Sequence, residues 1–151
     1  MSQSFALFGL YLVATGAGIS FVFQQAVNSN LRVEIGSPWW AGFVSYLGGT
    51  LAMLAMIVAM REPWLTGSTV ARTSWMSWTG GIFGAIYIAV SILLLPRLGA
   101  AMVVALIVVG QMIGALVFDH FGLLGVPEMP ASPVRIAGAI FLVAGVVLIR
   151  L

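Results

Sequence analysis

Residues 98–118, LGAAMVVALIVVGQMIGALVF, decide the fold class of this 151-residue chain. The stretch contains no charged residue, and about 20 mostly apolar residues in a helix span the hydrocarbon core of a bilayer. Four further stretches have the same character, and together they predict transmembrane helices over residues 5–27, 39–60, 75–95, 98–118 and 134–149. The last stretch is short and needs Pro133 or Arg150 at the interface to reach across. We therefore predict an all-α polytopic membrane protein of about five helices, forming a single transmembrane domain over residues 1–151.

The composition supports a multi-pass protein. Hydrophobic residues make up 62% of the chain and charged residues 7%, whereas a soluble domain is about half apolar and a quarter charged. A chain of this composition cannot cover itself with a polar surface. Its basic residues are arginines that stand singly between apolar runs, which is typical of membrane-end anchors and not of a nucleic-acid-binding stripe.

Several kinds of site are excluded by the residues present. The chain has no cysteine and one histidine, so a zinc or thiolate site would lack its ligands. No nucleophile triad, phosphate loop or haem ligation pattern occurs. We predict that the protein is not an enzyme and needs no cofactor and no metal.

The arginines are balanced across the predicted membrane. Five crossings place three of them on each side: Arg61, Arg72 and Arg135 with the N-terminus, and Arg32, Arg97 and Arg150 opposite. Orientation normally follows an excess of Lys and Arg in the cytoplasmic loops, and this chain has no such excess. A chance balance among six charges is the alternative, but the pattern favours insertion in both orientations. Two oppositely inserted copies would form a ten-helix antiparallel homodimer, the two-chain equivalent of the inverted repeats in many transporters.

Small residues recur along the predicted helices at spacings that suit close packing. Membrane helices associate by close backbone approach across such residues. The predicted dimer-packing positions are Gly110, Gly114, Gly138 and Gly145.

Polar side chains inside the apolar stretches are the candidates for a substrate site, because intramembrane polar groups are costly and face protein or a wet cavity. Gln24 and Asn28 stand one helical turn apart, and their amides offer donors and acceptors to a polar solute without a fixed charge. The predicted substrate-binding residues are Gln24, Gln25, Asn28, Asn30, Ser45, Tyr46, Tyr87, Ser91 and Gln111. For the amides, a helix-end cap or hydrogen bonds between helices are the alternative.

Asp119 and His120 follow the last apolar residue of the fourth stretch. Histidine changes charge near neutral pH, so one hypothesis is that these two residues couple transport to protons or sodium. The alternative is an interfacial ion pair or cap, with Arg72 or Arg135 on the same side.

Two stretches resemble the signatures of a known family. QAVNSNLR at 25–32, followed by GSP at 36–38, and GQM at 110–112, running to FDHFG at 118–122, resemble the small YdcZ-type membrane proteins of bacteria. The RIAG stretch at 135–138 is similar too. That family is grouped with the drug/metabolite transporter superfamily, so the resemblance implies a bacterial inner membrane location and a transporter fold, without naming a substrate.

One departure from that superfamily matters. Its small multidrug exporters carry a membrane-embedded glutamate in the first helix, which exchanges protons for cationic substrates. The first stretch here has no acid, so that mechanism does not transfer. We predict secondary transport of a small organic solute by alternating access, with the solute, the bilayer and a second copy of the chain as partners. The alternatives are a dual-topology channel with a continuous polar pore and a non-transporting subunit that scaffolds a partner.

Overall fold

The computed structural model describes residues 2–151, with side chains from residue 5 onward. Its helices are α1 (Ser2–Ile35), α2 (Pro38–Ala59), α3 (Gly67–Ala71), α4 (Gly80–Leu98), α5 (Ala100–Phe121) and α6 (Pro133–Arg150). Within residues 2–151 there is no strand, and five helical stretches are long and apolar enough to cross a membrane. The predicted all-α, five-span class is confirmed.

The first helix is longer than predicted. The predicted end at residue 27 assumed that Asn28 and the residues after it begin a loop, but α1 continues to Ile35. The Asn28 side chain donates to another helix, and the Asn30 side chain donates to Glu34 one turn ahead. Neither amide therefore competes for the backbone of α1. The chain leaves the helix at Gly36, whose φ of 70° is one that glycine adopts without steric cost.

Side-chain caps start α2 and α6. Ser37 accepts a 3.3 Å hydrogen bond from the backbone N–H of Trp40, and Pro38 occupies the first position of α2. Ser132 accepts an equivalent bond from the third residue of α6, again with a proline first. Proline suits this position because its missing N–H would have no helical partner there. As a result, α6 includes both Pro133 and Arg150.

The break between α4 and α5 lies later than predicted. The sequence placed a turn at Pro96 and Arg97, but both residues belong to the last turn of α4. The chain leaves the helix at Gly99, where φ is 79°. Pro96 has no N–H, so the backbone carbonyl of Ile92, one turn earlier, has no partner within the helix.

The chain forms two compact units, Met1–Arg97 and Leu98–Leu151. In the first unit, the buried core joins Ala41 of α2 to Ile88 and Ile92 of α4, with Leu31, Tyr46 and Tyr87 packed against it. In the second unit, α5 packs along α6. Most large apolar side chains on the spans are exposed, which suits a chain that is surrounded by lipid.

Candidate functional site

Five polar side chains link α1 to α2 and to α4 of the first unit through two sets of hydrogen bonds. We call them the polar cluster: Gln24, Gln25, Asn28, Ser45 and Tyr87. Gln24 and Asn28 donate their amide N–H groups to the same acceptor, Ser45 Oγ of α2, at 3.3 and 3.0 Å. Gln25 donates to Tyr87 Oη of α4 at 2.5 Å. Consecutive helical residues point about 100° apart, so the adjacent Gln24 and Gln25 reach different neighbouring helices. All five belong to the predicted substrate-binding set.

One atom of the polar cluster has no hydrogen-bond partner among the residues that the structure describes, and it is Gln25 Oε1. The residue is only 5% exposed. Reversing the amide would pair this oxygen with the Tyr87 hydroxyl, but it would leave both N–H groups of the amide nitrogen without an acceptor. In either orientation one polar end of the Gln25 amide is buried without a partner, and in the orientation of the structure that end is the carbonyl oxygen.

The acidic residues of the first unit lie outside the polar cluster. The acids of the first unit are Glu34 and Glu62. Glu34 accepts a 2.8 Å hydrogen bond from the exposed Asn30, and Glu62 is exposed in the connection after α2. Because a buried charge requires a partner, an organic cation would find no carboxylate here among the described side chains. The arrangement therefore does not suit an organic cation.

An aromatic surface borders the polar cluster. The rings of Phe21 and Tyr87 meet edge to face, with centroids 5.9 Å apart and an interplanar angle of 85°. Phe21 was not among the predicted site residues, although its position one turn before Gln25 could have indicated it. The pair offers apolar contact beside hydrogen-bonding groups.

Two predicted site residues from the second and third spans lie beside the polar cluster without joining its hydrogen bonds. The Ser91 hydroxyl donates to the backbone oxygen of Tyr87 at 2.8 Å, so its donor is used within α4. Tyr46 packs against the buried core, and its hydroxyl lies where a Cβ at Gly84 would stand. A larger residue at Gly84 would displace that ring. Both side chains therefore support the packing beneath the site.

Two more predicted residues lie elsewhere. Asn30 is exposed and bonds to Glu34 along the surface of α1. Gln111 belongs to α5 in the second unit and is exposed.

Two polar residues of α1 were missed from the sequence. Ser29 is buried, one turn beyond Gln25. Arg32 was interpreted as a headgroup anchor, but its guanidinium reaches inward and donates to the backbone oxygen of Ile92. The spacing of Gln25, Ser29 and Arg32 is that of one helix face, and this pattern was available in the sequence.

Asp119 and His120 take part in closing the connection between α5 and α6. Arg135 forms a salt bridge with Asp119 and donates a 2.7 Å hydrogen bond to the backbone oxygen of Met129. The N–H of Met129 donates to the backbone oxygen of Asp119 at 2.7 Å. His120 Nδ1 accepts from the N–H of Ala131 at 3.2 Å. Of the two arginines proposed as partners, the structure pairs Asp119 with Arg135, and a coupling role stays a hypothesis.

The predicted dimer-packing glycines all belong to the second unit. No described heavy atom lies within 4 Å of the Cβ position at any of them: Gly110, Gly114, Gly138 and Gly145. Their small-residue surfaces are therefore open within the second unit.

Comparison with known proteins gives two matches. A family model described as "Putative inner membrane exporter, YdcZ" matches residues 9–148. Inner membrane protein YdcZ of Escherichia coli (strain K12) is 30% identical over 151 residues, a match that covers 96% of this chain and 94% of that protein. No solved structure matches the chain. The whole polar cluster falls inside the matched range.

Proposed function

The chain belongs to the YdcZ family of bacterial inner membrane proteins, and on that premise we propose that it is a secondary transporter that moves a small organic solute across the inner membrane by alternating access. The family description names an exporter, which is a transporter and not an enzyme. It supports membrane transport as the general activity and outward movement as the direction.

The observation that carries the proposal is the polar cluster. A hydrogen bond between membrane helices contributes on average about 0.6 kcal/mol. A buried polar atom without a partner costs about 1–3 kcal/mol, and Gln25 Oε1 is such an atom among the described residues. A bundle that only had to fold would therefore gain little from these groups. Intramembrane polar groups kept at a net cost are typical of substrate pathways.

The solute is small, uncharged and polar. The amides of Gln24, Gln25 and Asn28 use their nitrogens to bind Ser45 and Tyr87, so their oxygens are the atoms that can accept from a solute hydroxyl or N–H. The aromatic edge next to Tyr87 would contact the carbon skeleton. The cation exchange of the small multidrug exporters is not supported, since no acid lies within the described part of α1 before Glu34.

The working unit is an antiparallel homodimer. Arg32, Arg97 and Arg150 each belong to the last turn of a spanning helix. These positions support the prediction that the three lie on one side of the membrane and the other three arginines on the opposite side. Two copies in opposite orientation would place two polar clusters around an axis in the membrane plane, as in transporters with inverted repeats.

Purified protein in proteoliposomes tests the proposal. A thermal-shift screen against uncharged polar metabolites identifies a ligand, because binding to the native state raises the melting temperature. Flux of that ligand should saturate, and unlabelled ligand on the far side should accelerate it. Flux that never saturates would indicate a channel instead. Absence of flux for every ligand that binds would leave a scaffold subunit.

A further inference from the structure

A second polar contact joins α1 to α4 beyond the polar cluster. Arg32 Nη1 donates to the backbone oxygen of Ile92 at 3.0 Å. Ile92 is 1% exposed, and Arg32 is half-buried. An arginine at the end of a membrane helix ordinarily extends toward the headgroups, so its inward direction here needs a physical reason.

Pro96 supplies that reason. In an α-helix, each carbonyl accepts from the N–H four residues later, and for Ile92 that residue is Pro96. Proline has no N–H to donate, so the carbonyl of Ile92 would be buried without a partner. The guanidinium of Arg32 replaces the missing donor with a charge-assisted hydrogen bond, the stronger kind.

No carboxylate competes for Arg32 among the described side chains. The salt bridge among the described residues joins Arg135 to Asp119, and both belong to the second unit. Glu34, two residues after Arg32, accepts from Asn30 instead. The hydrogen bond to Ile92 is thus the polar contact that fixes the direction of the Arg32 side chain.

We propose that Arg32 is a positioning residue for the polar cluster: it occupies the carbonyl that Pro96 leaves free and holds α1 on α4 in the register where Gln25 meets Tyr87. Going along α1 from Gln25 to Arg32, the contacts advance along α4 from Tyr87 to Ile92. Two hydrogen bonds at different positions along the helices prevent α1 from sliding along α4. A helix bends most easily where its ladder is interrupted, so the same bond also stiffens α4 at Pro96. What the site does rests on the proposed function, but the link itself does not.

A double-mutant cycle in detergent-purified protein tests the link. Arg32→Met keeps the side-chain length and removes the donors, so the melting temperature should fall by about 2–4 °C, the shift expected for loss of a single contact in a chain of this size. In a Pro96→Ala background, the alanine supplies the N–H, and Arg32→Met should then change the melting temperature little. Equal falls in both backgrounds would overturn the proposal.

Arg97→Met is the matched control. It removes one arginine from the same predicted side of the membrane, and Arg97 is exposed at the end of α4. Any effect of charge balance on orientation or yield should be common to both variants. The loss of stability that Pro96→Ala abolishes should be confined to Arg32→Met. If Arg97→Met shows the same dependence on Pro96, the link is wrong.

Tyr87 reports whether the site itself is repositioned. Fluorotyrosine labelling places a probe at each tyrosine, and Tyr87→Phe assigns its 19F resonance. Arg32→Met should shift the Tyr87 resonance, Arg32→Lys should restore it because lysine also donates, and the Tyr11 resonance should stay fixed. An unmoved Tyr87 resonance would show that Arg32 only caps the carbonyl of Ile92 and does not position the site.

If the double-mutant cycle shows coupling but no transport occurs, the proposed function fails and the link between Arg32 and Ile92 stands. If transport occurs but the cycle is additive, the link fails and the proposed function stands.

Discussion

Gln25 and Tyr87 are 62 residues apart in the chain and joined by a 2.5 Å hydrogen bond from the amide nitrogen to the phenol oxygen. The bond fastens α1 to α4. It also leaves the amide oxygen of Gln25 buried and without a partner among the described residues. The same contact therefore contributes to the fold and presents an acceptor, which is the combination expected of a binding site.

The first prediction separates these two contributions. The double variant Gln25→Met/Tyr87→Phe removes both polar partners and keeps their volume. Replacing both members of a buried hydrogen bond by apolar groups is nearly neutral or stabilising, and the unpartnered oxygen disappears with them. We expect a melting temperature at or above that of the parent, together with loss of ligand-induced stabilisation.

Ser91→Ala is the control for that variant. The Ser91 hydroxyl is buried on α4 but bonds only to its own helix, so its removal should preserve ligand binding. Normal ligand response in Gln25→Met/Tyr87→Phe would remove both residues from the site.

Ser45 is the shared acceptor of two amides, and its loss should cost more than an average contact between membrane helices. Ser45→Ala leaves the N–H groups of Gln24 and Asn28 without their acceptor. Each buried unpaired group costs about 1–3 kcal/mol, and partial exposure of Gln24 reduces its share. We expect a loss of about 1–2 kcal/mol in the free energy of unfolding.

Chemical unfolding in mixed micelles measures this loss, and Ser45→Thr, which keeps the hydroxyl, is the matched control. An unchanged unfolding free energy in Ser45→Ala would show that the two hydrogen bonds carry no stability.

The contact between Asp119 and Arg135 tests the coupling hypothesis. The two side chains are 23% and 33% exposed, so the pair is worth up to about 1 kcal/mol. If the pair is only structural, Asp119→Asn should weaken the protein, and Arg135→Gln should weaken it more because the bond to the backbone oxygen of Met129 is lost as well. The double variant should then lose little more than Arg135→Gln alone. Transport driven by a proton or sodium gradient should continue in all three.

A coupling carboxylate predicts a different pattern. Asp119→Asn alone would then abolish gradient-driven uptake while exchange of solute without a gradient persists. Measuring both activities on the same vesicles decides between the structural pair and the coupling site.

The balance of arginines predicts that both orientations are populated. Single cysteines at Ser68 and at Ala131 lie in connections on the same predicted side. A membrane-impermeant thiol reagent applied to intact cells should label about half of the copies at each site if orientations are equal. Adding two lysines near Ser68 should drive the population toward one orientation. Labelling of all copies, or of none, in the parent would contradict dual topology.

The spanning helices could be predicted from the sequence because length and apolar composition alone determine whether a helix can cross a bilayer. The end of α1 could not, since asparagines such as Asn28 and Asn30 favour turns unless other groups occupy their side chains. Glu34 occupies Asn30 from one turn ahead, but the partner of Asn28 is Ser45 on another helix, and only the folded chain brings those two together.

The candidate site, too, could be predicted from the sequence only in part. Helical spacing was enough to pair Gln24 with Asn28. It could not identify Ser45 as their shared acceptor or Tyr87 as the acceptor of Gln25, because those contacts depend on which helices pack. Residue type alone indicated Tyr46 and Ser91, whereas in the structure the Tyr46 hydroxyl lies against Gly84 and the Ser91 hydroxyl bonds within α4. The carbonyl freed by Pro96 could be inferred from the sequence, whereas its donor, 60 residues away at Arg32, could not.

Solute exchange in proteoliposomes tests the central claim most directly, using a ligand identified by thermal shift and comparing the parent with Gln24→Leu and Gln111→Leu. Gln24 belongs to the polar cluster, and Gln111 is an exposed amide on a spanning helix that would need a solute or a second copy as partner. We predict saturable, trans-accelerated exchange in the parent and its loss in both variants, with melting temperatures close to that of the parent. Exchange at the parental rate in Gln24→Leu would show that the polar cluster only holds the helices together and would contradict the proposed transport site.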